Sequence, residues 1–347
     1  MSSQTDTNQT LGSAAWIEGL VTTIIPVYNR PLLLQEAVQS VLQQQYPHTE
    51  IIIIDDGSTD DTPDRAAALR AAHPSRIRVL QQPNSGPGRA RQHGIDHARG
   101  EFIQFLDSDD LLLPEKFLRQ VDALRLNPEA EIAYGKSYEE NHTLGAPCCS
   151  GPMRATGIPL RHLFPRLLNE RWWTTSCPLY RKRLLDRIGP IQNWINEEDW
   201  EYDARAGAER APLVFVDAVV SLRRILASTD HLSADGCSDP RKLRHRALAQ
   251  QSIHRCALRA GTASDCPEMR TFCRSAFLLS RQCAQAGLEQ EAADLQNLAC
   301  SASGSNGVAL DLRLYGWAGR RIGWRRATRL TERLRQLRTL VRPERHG

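Results

Sequence analysis

The chain has 347 residues, 41% apolar and 24% charged, which suits one large α/β domain with an appendage, or two domains. No apolar run approaches the ~18 residues of a membrane span. Its net charge of +4 is uneven: residues 311–347 carry eleven arginines against Asp311, Glu332 and Glu344, so the body of the chain is net acidic.

The opening MSSQTDTNQTLGSAAW is polar and lacks a basic-then-apolar signal sequence, so residues 1–19 read as a disordered leader. Residues 20–25 form an apolar strand closed by Pro26-Val27-Tyr28-Asn29, and Pro31 suits the first turn of a helix. In that helix Leu33, Leu34, Ala37, Val38, Val41 and Leu42 share one face. Four consecutive isoleucines, 51–54, mark a strand covered on both sides. Asp55-Asp56-Gly57-Ser58 turns into a helix over 61–72. A strand at 77–80, a glycine turn and helix at 86–98, and a strand at 101–106 follow. The order β-α-β-α-β-α-β predicts a parallel sheet with helices on both faces.

Ligands in such sheets bind beyond the carboxyl ends of the strands. Three of those ends carry Tyr28-Asn29, Asp55-Asp56 and Asp107-Ser108-Asp109, which are expected side by side on one rim. Further on, the pattern predicts a helix over 114–126, a short strand near 132–134, a helix over 179–188 and a strand over 213–220. The SLRRILASTDHLS segment is expected to run away from that last strand. Alanine-rich helices follow after about Asp239, and Leu330, Leu334, Leu337 and Val341 form an apolar stripe among arginines. The nine cysteines show no C-x-x-C spacing and read as free thiols in a reducing compartment, mostly buried.

Asp107 and Asp109, at i and i+2 in a tight turn, can both face one hard cation; alone, such a pair also serves as an acidic loop capping the next helix. Asp55-Asp56 can accept from a base or a ribose, or merely favour the positive end of a helix. Asn84-Ser85-Gly86-Pro87-Gly88-Arg89-Ala90-Arg91 lacks the third glycine of a dinucleotide fingerprint, and no P-loop is present. Glu197-Glu198-Asp199 offers either acids in a first helical turn or a general base beside Trp200, an aromatic suited to stacking on a sugar.

Together these segments resemble the family 2 glycosyltransferases over roughly residues 20–235: VTTIIPVYNRP, IIIIDDGSTDDT, NSGPGRARQHG, GEFIQFLDSDD and EEDWEYDAR, in order. The resemblance implies a GT-A fold, a Rossmann-like α/β sheet flanked by helices, here with an α-helical C-terminal extension. It implies that Asp56 reads the nucleotide base with Pro26, Tyr28 and Asn29 walling the pocket. Arg91 would lie near the diphosphate, Ser108 would help bind the nucleotide sugar, and Asp107 and Asp109 would hold manganese or magnesium. Asp199 would be the catalytic base beside Glu198, with His231 a further metal or diphosphate contact and Trp200 an acceptor contact. Gln92 departs from the family's usual asparagine. Leu168-Asn169-Glu170-Arg171-Trp172 lacks the glutamine of the processive Q-x-x-R-W motif and lies upstream, so a non-processive enzyme is expected, inverting through one displacement with one base.

The expected organisation is a nucleotide-sugar half at 20–110, an acceptor half at 111–238 and a helical region at 239–347. The expected partners are a nucleotide sugar, UDP-linked by the family's habit, and a glycan or lipid-linked acceptor in polysaccharide or lipopolysaccharide synthesis. The transferred group would be a hexosyl or N-acetylhexosaminyl unit. A non-catalytic sugar-nucleotide binder and a nucleotidyltransferase are the rivals; the latter's phosphate loop is missing. The arginine-rich tail reads as a solvated helical face or as a peripheral contact with anionic membrane at the inner side of a cytoplasmic location. Nucleic acid is not expected, since no recognised module accompanies the arginines.

Overall fold

The four isoleucines sit on an interior strand of the sheet, and their side chains alternate between two cores. Ile51 and Ile53 join one apolar cluster, Ile52 and Ile54 the other, and all four are fully buried. The computed structural model describes residues 16–143, 148–226, 239–302 and 310–341. The chain begins with β1 (Ile17–Val27), α1 (Pro31–Leu42), β2 (Thr49–Asp55), α2 (Thr62–Ala72), β3 (Ile77–Gln81), α3 (Pro87–His97) and β4 (Gly100–Phe105). Strands β3, β2, β1 and β4 lie in that order and are parallel throughout, as the sequence predicts. Helices α1 and α2 cover one face and α3 the other. Gly94 lets α3 press onto β1: a Cβ there would come within 2.3 Å of Ile24 Cγ2.

Beyond β4 the sheet becomes mixed. It continues with β5 (Leu111–Leu112), α4 (Lys116–Leu126), β6 (Ile132–Asn141), β7 (Cys148–Ser150), β8 (Leu179–Arg181), α5 (Lys182–Ile188), α6 (Glu198–Ala208) and β9 (Leu213–Ile225). The sheet order is β3-β2-β1-β4-β8-β6-β9-β5, with β7 paired to β6. Here the sequence reading needs correction. The expected helix over 179–188 opens with β8, because buried Leu179-Tyr180-Arg181 pairs antiparallel with both β4 and β6. The SLRRI segment does not leave the sheet: it extends β9 to Ile225, with Ser221 and Leu222 also facing β5.

Among the described residues five helices follow: α7 (Pro240–Arg259), α8 (Pro267–Gln285), α9 (Glu289–Ala302), α10 (Leu310–Ile322) and α11 (Trp324–Val341). Their apolar faces, with Leu243, Ile253, Phe272, Leu279, Leu295 and Tyr315, continue the core that contains Ile52 and Ile54, so the region packs on the α/β body. Among the described cysteines, 177, 256, 273 and 283 are buried, 148 and 149 exposed, and 266 and 300 in between, all as free thiols. No helix among the described residues is long and apolar enough to cross a membrane.

Candidate active site

The carboxyl ends of β1, β2 and β4 open on one cavity of about 950 Å³, where Pro26, Tyr28, Asn29, Asp56, Arg91, Asp107, Ser108, Asp109, Glu198 and Asp199 all contribute to the wall. The expected convergence of three strand ends is therefore present. Local chemistry explains how each end is shaped. Asp56 is buried, and its carboxylate accepts from Ser85 N (2.9 Å), Gly86 N (2.8 Å) and Gln82 Nε2 (2.8 Å), which folds the glycine turn around the end of β2. Gly57, at φ +75°, makes the turn possible: a Cβ would lie 2.7 Å from Asn84 N. Asn29 is itself left-handed (φ 52°), and its Oδ1 accepts from Thr59 N at 2.8 Å.

Three carboxylates in four residues repel one another unless each is matched. The fold gives each its own partner. Asp107 Oδ1 accepts from Arg91 Nη2 at 2.8 Å, and Asp109 Oδ2 from Arg30 Nη1 at 2.5 Å. Asp110 is buried and turned away, accepting from Ser176 Oγ (2.9 Å) and Arg224 N (3.2 Å). Burial and the charges of Asp107 and Asp109 push its carboxyl well above the usual range.

Arg91, buried on α3, binds Asp107 with one guanidinium nitrogen and Glu198 Oε1 with the other, both at 2.8 Å. It thereby joins the turn after β4 to the start of α6. Glu198 and Asp199 differ in environment. Burial, together with the neighbouring Asp199 charge, raises the Glu198 carboxyl to about 7 against the pull of Arg91. Burial also acts to raise Asp199, but Arg171 and Arg91 outweigh it and hold the group below its ordinary value. Asp199 Oδ2 accepts from Arg171 Nη1 (2.7 Å) and Thr175 Oγ1 (3.2 Å), while Oδ1 accepts from Trp200 N (2.7 Å). The Asp199 side chain remains 29% exposed, that of Glu198 only 7%.

Trp200 does not reach the cavity wall: it is half-buried and donates its indole N–H to Leu167 O at 2.9 Å. Tyr28 is the exposed aromatic at the cavity, whereas Trp172 and Trp173, with ring centroids 4.5 Å apart, are buried in the core behind it. His231 lies outside the described residues. Sequence reasoning left out Arg30, Arg171 and Arg224, all cavity residues. Arg30 stood inside the quoted VYNRP segment, whereas Arg171 is 28 positions from Asp199 with no local spacing to link them.

Magnesium commonly binds through one or two carboxylates plus substrate phosphates. Asp107 and Asp109 suit that donor set. Each uses one oxygen for its arginine and has no bond to the other among the described residues. No cluster of three or more His, Cys, Asp or Glu ligands occurs among the described residues, so a cation here would need further oxygens from a ligand.

Residues 22–148 match the model of glycosyl transferase family 2. An uncharacterized glycosyltransferase of Rickettsia felis is 45% identical over 107 residues, 31% of this chain and 17% of that protein. The chain thus spans under a fifth of that relative. S. aureus TarS 1-349, solved in complex with UDP-GlcNAc, superposes with a TM-score of 0.67 at 19% identity, covering 91% of this chain and 92% of that one. The mannosyltransferase PcManGT of Pyrobaculum calidifontis, solved with GDP-Man and Mn2+, gives a TM-score of 0.50 at 17% identity over 90% and 86% of the two chains. The fold is therefore that of GT-A glycosyltransferases.

Proposed function

We propose that this chain, which belongs to glycosyl transferase family 2 through residues 22–148, moves a hexosyl or N-acetylhexosaminyl unit from a UDP-sugar to an acceptor hydroxyl with inversion. The observation that carries this reading is the bridge by Arg91, which sets the Asp107 turn and the Glu198-Asp199 pair against one cavity. In this reading, residues 20–110 hold the nucleotide sugar, 111–238 the acceptor, and 239–347 form the helical region.

The acceptor oxygen attacks the anomeric carbon as the bond from that carbon to the diphosphate oxygen breaks. The hydroxyl proton passes to Asp199, and the nucleoside diphosphate leaves on the opposite side. One displacement with one base inverts the configuration. Asp199 fits the role better than Glu198 because it is ionised and reachable, whereas Glu198 is shut in against Arg91. Arg171 orients the base. The backbone of the turn held by Asp56, with Tyr28 and Asn29, forms the nucleotide end. Asp107 and Asp109 would hold a manganese or magnesium ion, which supplies charge neutralisation for the departing diphosphate.

The acceptor is a glycan or lipid-linked glycan of a polysaccharide or lipopolysaccharide pathway, met at the cytoplasmic face of a membrane. One face of α10 supports the membrane contact: Arg313, Leu314, Trp317, Arg320 and Arg321 are exposed along it, Trp317 at 60% and Leu314 at 56%. On α11 the exposed set is Arg325, Arg326, Arg329, Leu330 and Arg333. Apolar side chains framed by cations match an anionic bilayer surface.

A thermal-shift panel of UDP, GDP, CDP and dTDP, each with manganese or EDTA, tests the donor reading. A ligand at ~100 times its dissociation constant stabilises by about 2.7 kcal/mol, enough to move the midpoint by degrees. A manganese-dependent shift with UDP is expected. No shift with any nucleotide would overturn the reading.

A further inference from the structure

The segment before the Glu198-Asp199 pair is fastened from outside the α/β body. Glu197 has a left-handed backbone (φ 62°, ψ 14°), a conformation that costs a non-glycine residue on the order of 1 kcal/mol or more. It persists only where the surroundings fix it. Here α7 does so. Glu197 Oε1 accepts from Arg246 Nε at 2.9 Å, and Oε2 accepts from Gln250 Nε2 at 2.8 Å. Two residues earlier, Ile195 N donates to His245 Nδ1 at 3.0 Å. On the far side of the pair, Ser252 Oγ donates to Glu201 Oε1 at 2.8 Å. The same side of α7 thus holds the chain both before and after Glu198 and Asp199.

These contacts are not needed to satisfy the exposed surface. Glu197 is a carboxylate in a largely enclosed place, where burial raises its pKa and Arg246 and Gln250 counter that rise. Gln250 is itself buried. A charged group enclosed at the rim of a cavity, in a strained conformation, is matched by two donors from a helix outside the 22–148 region. If the donors are removed, residue 197 can relax to negative φ, and the next two side chains turn with it.

We infer that α7 is a positioning element for the transfer reaction, with Arg246 and Gln250 holding Glu197 so that Glu198 meets Arg91 and Asp199 faces the acceptor. This rests on Asp199 being the base. The C-terminal helical region then has a catalytic consequence without touching substrate.

The test uses the full chain as wild type, Arg246→Ala, Gln250→Leu, Arg246→Lys and Asp199→Asn. Two readouts are compared: hydrogen exchange of the peptide spanning residues 195–201, and UDP release from UDP-N-acetylglucosamine with water as acceptor, in manganese. In Arg246→Ala and Gln250→Leu, exchange in 195–201 is expected to rise at least tenfold while peptides of β1, β2 and β4 keep their protection. UDP release is expected to drop ~10- to 100-fold in kcat with KM for the donor within about threefold, because the nucleotide end is untouched. Arg246→Lys, which keeps a donor and a charge, is expected to recover most of both. Unchanged exchange in 195–201 would overturn the inference whatever the donor. So would raised exchange with undiminished kcat in an enzyme that Asp199→Asn inactivates. Retained turnover in Asp199→Asn would instead sink the base assignment, and the exchange result would still decide the clamp.

Discussion

Arg171 Nη1 lies 2.7 Å from Asp199 Oδ2, and the same guanidinium reaches Asp203 through Nε at 2.8 Å. One arginine therefore fixes two carboxylates one turn apart on α6, and it is itself nearly buried. Removing one partner of a buried pair leaves uncompensated charge, at a cost of about 3–5 kcal/mol. Arg171→Met is expected to lower the unfolding midpoint by several degrees and to raise the Asp199 pKa. A thermal melt checks the first, and an acid limb moved to higher pH in the rate profile checks the second.

Asp107 and Asp109 are each matched by an arginine. Asp107→Asn and Asp109→Asn are expected to abolish the manganese dependence of the UDP thermal shift. The two variants separate in stability: Asp107→Asn loosens the bridge to Glu198, whereas the Asp109 carboxylate pairs with Arg30, a less enclosed residue. Calorimetry with UDP, with and without manganese, reads both effects.

Lys116 is fully buried, and its ammonium donates to Gln120 Oε1 (2.7 Å) and Cys177 O (2.6 Å). Burial lowers its pKa from 10.5 to about 7. Between those values the unfolded chain holds a proton that the folded chain lacks, so stability rises with pH through this window and is lost as pH falls towards 7. The slope has a ceiling of about 1.4 kcal/mol per pH unit. Chemical denaturation at pH 7, 8 and 9 is expected to show the rise in wild type and its loss in Lys116→Met.

The arginine-flanked face of α10 makes a salt-sensitive prediction. Binding to anionic vesicles is expected to weaken when Arg320 and Arg321 become glutamates, and to vanish on neutral vesicles. Replacing Trp317 by serine is expected to weaken binding at every salt concentration, since it removes burial rather than charge.

The first four strands were legible because they are local. Ile51 to Ile54 state by themselves that both faces are covered, and Asp56, Asp107 and Asp109 end strands whose parallel order follows from the alternation with helices. The second half was not, because its strands depend on distant partners. Leu179-Tyr180-Arg181 resembles a helix start until β4 and β6 lie beside it. Arg223 and Arg224 disguise the end of β9, although the Arg224 guanidinium is buried between Asp109 O and Glu36. The same holds for the site. The acidic motifs announce themselves, but Arg171 and the α7 donors are 28 to 53 positions from what they hold.

The most direct test of the account compares wild type with Asp199→Asn for UDP binding and for UDP release from a UDP-sugar. A dissociation constant for UDP within about threefold of wild type is expected, with a turnover reduced by about 10² to 10⁴, the usual contribution of a general base. Wild-type turnover in Asp199→Asn would contradict it, and the proton would then have to leave by another route.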